Sequence, residues 1–107
     1  MTPPELAQLQ SLHEAGHAGL ESRIACEVPV DGRTLPVHVF TLGNADPAGP
    51  ALGVFGGVHG LERIGAEVAI AWLRSLIARL AWDDTLRRQL DTMRLVVMPL
   101  VNPGGLW

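Results

Sequence analysis

The chain has 107 residues, of which 48% are hydrophobic and 18% charged, and its formal net charge is -3. That is enough apolar material for one core and too little chain for two domains, and the mildly acidic balance excludes the basic surface that binding a phosphate backbone requires. A single cysteine, Cys26, rules out an intrachain disulfide and a thiolate zinc framework, so a metal would have to be held by His and carboxylate ligands. Cys26 itself is expected to be a small buried hydrophobe. The N-terminus has no basic region followed by an apolar stretch, and no run is long enough to span a bilayer. The expected setting is cytoplasmic, with neither nucleic acid nor membrane as a partner.

Thr2-Pro3-Pro4-Glu5 reads as a helix start, with Thr2 and Glu5 as reciprocal caps and Pro3 presetting the first turn. The helix is expected to run from Pro3 to near Gly19, which is placed to end it. Ile24 to Val30 is a β-type run, Asp31-Gly32 a hairpin signal, and Leu35, Val37 and Val39 alternate with Pro36, His38 and Phe40 along a second strand. Gly43 to Pro50 is a surface loop. Ala51 to Phe55 is a compact apolar run suited to a strand buried on both faces, stopped by Gly56-Gly57.

From Glu62 to Leu80, Ala66, Ile70, Leu73, Ile77 and Leu80 recur at helical spacing and define the main core helix. Asp83 can cap a short helix through Leu90, after which Leu95 to Val101 forms another apolar strand. Strand, helix and strand make a βαβ unit, parallel at that pair, within an α/β fold whose sheet is mixed overall because of the hairpin. The turn-rich Asn102-Pro103-Gly104-Gly105 directly after a core strand predicts a truncated sequence, with residues 1–107 as the N-terminal part of a single domain.

Ligands of open α/β sheets gather at the carboxyl ends of strands, and Gly56-Gly57-Val58-His59-Gly60-Leu61-Glu62 occupies that place. The glycines permit a sharp turn that can aim His59 and Glu62 at one spot. An imidazole and a carboxylate three residues apart make half of a zinc site, and a helix N-terminus favours the anionic form of Glu62. The same residues also suit a plain strand-to-helix turn with a first-turn acid.

This segment resembles the first metal-binding motif of the zinc carboxypeptidase family, which includes the related succinylglutamate desuccinylase and aspartoacylase group. Pro99-Leu100-Val101-Asn102-Pro103-Gly104-Gly105 resembles the Asn-Pro-Asp-Gly loop that follows the next core strand in that family. The resemblance implies a carboxypeptidase-like (phosphorylase/hydrolase-like) fold, zinc as cofactor with His59 and Glu62 as ligands, and residues 102–105 as a structural loop near the site. Gly104 replaces the usual Asp, and Leu61 stands where the family sometimes has a substrate-binding arginine, which leaves specificity open. The family's substrate-binding Asn-Arg pair, third zinc ligand and glutamate base are expected beyond Trp107, so no catalytic residue is expected within these 107 residues. The implied activity of the intact protein is metallocarboxypeptidase cleavage of a C-terminal residue from a peptide. The alternatives are amide hydrolysis of an acylated amino acid, or a non-catalytic module of the same fold. Oligomeric state is left open.

A rival motif, His13-Glu14-Ala15-Gly16-His17, matches H-E-x-x-H, in which two histidines one helical turn apart bind zinc around a glutamate base. Its competing reading is a solvent-facing polar stretch with Gly16 weakening the helix. His38 is expected to be a surface or satisfied histidine, Arg63 to face either substrate or solvent, and Trp72 and Trp82 to be packing residues.

Overall fold

The computed structural model describes residues 3–60 and 63–106. Helix α1 covers Pro4–Ala15, with proline in its first turn and Leu6, Leu9 and Leu12 buried at a spacing of one helical turn. It ends earlier than expected, because Gly16 rather than Gly19 takes the left-handed C-cap conformation, at φ 65°. Gly19, at φ 80°, instead shapes the turn into the first strand. The expected reciprocal cap is not what Glu5 serves: Pro3 holds the N-cap position without a side-chain bond, Glu5 is buried against another helix, and Thr2 lies outside the described residues.

Strands β1 (Leu20–Val30) and β2 (Arg33–Gly43) form the hairpin, with Asp31 at φ 48° and Gly32 at φ 74° in its turn. Positive φ at both central residues is the geometry that matches the twist of paired strands, and Asp-Gly supplies it cheaply. A bulge between Ile24 and Cys26 shifts the register. Cys26 is exposed rather than buried, because β1 is an outer strand. β2 lies inside the sheet, and Leu35, Val37, His38, Val39, Phe40 and Leu42 are all buried along it.

Strand β3 (Ala51–Phe55), helices α2 (Arg63–Arg79) and α3 (Asp84–Thr92), and strand β4 (Arg94–Met98) complete the βαβ unit. The sheet order is β1-β2-β4-β3, with β3 parallel to β4 and the other neighbours antiparallel. The fold is therefore the mixed α/β sheet that the sequence implies. Asp83 caps α3, accepting from the backbone N–H of Leu86 at 3.1 Å. β4 ends at Met98, before Pro99, and a 3-10 turn spans Pro103–Leu106.

The core gathers Leu6, Leu9 and Leu12 of α1, Ala66, Ile70 and Leu73 of α2, Leu86 and Leu90 of α3, and Phe40, Leu42, Leu95 and Val97 of the sheet. Two expectations of burial are corrected here. β3 sits at the sheet edge, and Leu52 and Phe55 are 53% and 59% exposed instead of covered on both faces. Trp72 is 37% exposed and Trp82 68%, so Trp82 is a surface residue and Trp72 is only partly covered. Among the described residues, no helix is long and apolar enough to cross a membrane.

Candidate metal centre

The carboxyl ends of the parallel pair are stitched together by backbone. Gly56 donates its N–H to the Met98 carbonyl, while its own carbonyl accepts from Val101, and the carbonyl of Gly57 accepts from Asn102, each at 2.9 Å. The chain can come this close only because these positions lack side chains. A Cβ on Gly56 would lie 2.7 Å from the Pro99 carbonyl oxygen and 2.8 Å from that of Gly65. Gly57 adopts φ 58°, and a Cβ there would meet Leu100 at 2.7 Å.

The turn leaving this seam carries His59, which is exposed at the carboxyl edge of the sheet. The second sequence motif packs beside it. Asn102 folds its own loop by accepting the Gly105 N–H on Oδ1 at 3.1 Å, and a Cβ on Gly105 would come within 2.8 Å of the Gly60 Cα. The two glycine-rich segments, far apart in sequence, thus form adjoining walls. The other proposed ligand, Glu62, lies outside the described residues. Among the described residues there is no group of three or more His, Cys, Asp or Glu able to hold a metal.

Arg63, the first residue of α2, is half-exposed and engaged in an ion pair. Its Nη1 donates to both carboxylate oxygens of Glu5, at 2.8 and 3.1 Å, and its Nη2 donates to the Leu106 carbonyl at 2.8 Å. Glu5 is only 1% exposed. Nothing in the sequence signals this pairing, since the acid also suits a helix cap and its partner lies 58 residues away.

The rival histidine motif is not assembled. The helix carrying His13 ends at Ala15 and Gly16 turns left-handed, so His17 is not one helical turn above His13 on a common face. His13 Nδ1 instead meets Ser22 Oγ at 2.5 Å, and Glu14 accepts from Gln10 at 2.7 Å. His38, expected at the surface or satisfied, is 1% exposed with neither ring nitrogen hydrogen-bonded. Alternation along β2 hid this, because His13 of α1 packs on the face that His38 shares with Phe40.

The sequence profile of the zinc carboxypeptidase family matches residues 23–106. Among solved structures, a candidate carboxypeptidase A from Shewanella denitrificans OS-217 superposes with a TM-score of 0.71 at 19% identity, over 94% of this chain and 25% of its own. An aspartoacylase family protein from Mesorhizobium loti is 29% identical over 79% of this chain and 24% of its own, with a TM-score of 0.49. This chain therefore spans about a quarter of the length of either structure. No curated protein matches it. The first superposition bears out the fold, and the family match runs from β1 through both glycine segments: the chain belongs to the zinc carboxypeptidase family.

Proposed function

We propose that this chain contributes His59 and Glu62 to a zinc ion in a metallohydrolase that removes a C-terminal residue from a peptide. The observation that supports the reading most is the glycine seam, which leaves His59 exposed at the carboxyl end of a parallel strand pair in a chain of this family. An imidazole nitrogen and a carboxylate oxygen suit zinc, and a catalytic set of three would need Glu62 and one more donor outside the described residues. In sequence, Glu62 directly precedes Arg63, the first residue of α2. Zinc, when bound, supplies a Lewis acid for the scissile carbonyl and lowers the pKa of water. The part of these residues is to hold and orient the ion.

Metal analysis of the purified protein tests this reading. About one zinc per chain, lost on Glu62→Ala, is the expected result for a three-ligand site. Zinc retained by that variant would put the metal elsewhere, and no zinc in either form would favour a non-catalytic module of the same fold.

A further inference from the structure

In sequence, the segment proposed to hold zinc is flanked by two fixed points. At its start, Gly57 is bonded to Asn102 and packed on Leu100. At its end, Arg63 is gripped by Glu5 from α1 and by the Leu106 carbonyl from the final 3-10 turn. Both candidate ligands, His59 and Glu62, fall between these anchors. The second grip also reaches the opposite wall, since the 3-10 turn ending at Leu106 contains Gly105, which lies against Gly60.

From this we infer that Glu5 is a positioning residue for the metal-binding segment, acting through Arg63. The consequence for metal rests on the zinc reading above, whereas the clamp is formed by Glu5, Arg63 and Leu106 whether or not zinc binds. The Glu5 carboxylate is 1% exposed and meets one nitrogen of a half-exposed guanidinium with both oxygens, and such charge-assisted hydrogen bonds are stronger than neutral ones. Neutralising Glu5 removes the counter-charge that ties the half-exposed Arg63 to α1, so the element that carries Arg63 loses an anchor. Here that element is the first turn of α2, immediately after Glu62. Metal ligands must be oriented within about 0.5 Å, and the loss of groups that orient them commonly weakens metal binding about 10- to 100-fold.

The test compares Glu5→Gln with Leu9→Ala, which removes a fully buried side chain from the same helix without touching the ion pair. Zinc affinity is measured by competition with a chromophoric chelator, and amide hydrogen exchange is followed without metal in peptides covering residues 57–66. Glu5→Gln is expected to speed exchange across that segment and to weaken zinc binding about 10-fold or more. Leu9→Ala is expected to lower the melting temperature at least as much while leaving zinc affinity at the wild-type value. Adding Glu5→Gln to Arg63→Gln should produce no further loss.

Equal weakening by Glu5→Gln and Leu9→Ala would overturn the inference, because general destabilisation would then explain it. Unchanged exchange and affinity in Glu5→Gln would overturn it as well. Should Glu5→Gln fail to fold, Arg63→Lys, which keeps the charge but cannot span both Glu5 and Leu106, carries the same expectation. A wild-type chain that binds no zinc, combined with faster exchange in Glu5→Gln, would sink the zinc reading and leave Glu5 as the residue that positions this segment.

Discussion

The imidazole ring of His38 lies with its centroid 5.4 Å from that of His13, tilted by 56°, and neither nitrogen of His38 has a hydrogen-bond partner. Burial, and then the charge of His13, hold its pKa below the ordinary value of 6.5. In the unfolded chain the ring takes up its proton near 6.5, whereas in the folded chain it does so only at lower pH. Between those values the unfolded state binds more protons, so stability rises with pH. The contribution is fully present above about pH 6.5 and is lost progressively as pH falls through the depressed folded value. Melting temperature should therefore drop as pH is lowered from 7.5 to 5. His38→Phe, placing a second aromatic ring beside Phe40, should flatten that slope and raise stability at neutral pH by on the order of 1 kcal/mol, since it removes two unsatisfied polar atoms. A slope unchanged by the substitution would assign the acid sensitivity to other groups.

The glycines of the first motif should differ sharply in their tolerance of alanine. Gly57→Ala must place a Cβ at φ 58° and 2.7 Å from Leu100, which combines left-handed strain with overpacking. A loss of about 2 to 4 kcal/mol in urea unfolding is expected from these two effects. Gly60 has no positive φ, and among the described residues a Cβ there would meet nothing closer than 3.8 Å, so Gly60→Ala should stay within about 0.5 kcal/mol of wild type. Equal losses at the two positions would contradict the seam described here.

The parts of this fold that could be read from sequence are those fixed by local chemistry. Asp31-Gly32 demands a tight hairpin turn, Asp83 offers a cap, and Gly56-Gly57 after an apolar run marks a strand end; each stands where expected. The misreadings arose where burial is decided by distant neighbours. Ala51 to Phe55 has the composition of a doubly covered strand, yet its position at the sheet edge leaves Leu52 and Phe55 exposed. Cys26 looked like a core residue until the sheet order put β1 on the outside. Glu5 has two good local uses, and only the arrival of Arg63 from α2 selects the third. For the candidate site, the strand-end location of His59 was legible from glycine placement, while the brace behind it was not.

The outward side of α2 presents Ile64, Val68 and Trp72, one turn apart, at 77%, 63% and 37% exposure, and edge strand β3 adds Leu52 and Phe55. Apolar edges and stripes of this kind promote association. Sedimentation velocity on the 107-residue chain should show concentration-dependent self-association. Val68→Glu should reduce it while changing stability by less than about 0.5 kcal/mol, as expected for a surface position. A strictly monomeric wild type at all concentrations would refute this.

The two histidine motifs make opposite predictions about metal. H-E-x-x-H chelation requires an uninterrupted helical turn between its histidines, and here Gly16 at φ 65° ends the helix between His13 and His17. His13 is further committed through Nδ1 to Ser22. His59, by contrast, stands on a turn whose backbone is fixed at Gly56 and Gly57 by three hydrogen bonds of 2.9 Å to the segment from Met98 to Asn102. A fixed turn holds a ligand in place without the ion having to organise the chain, which lowers the cost of binding. His59→Ala should therefore abolish stoichiometric zinc, measured by mass spectrometry after dialysis, while His13→Ala and His17→Ala should retain it within error. Zinc that survives the first substitution and disappears with the other two would place the metal on α1, and the helix would then have to extend through Gly16 when the ion binds.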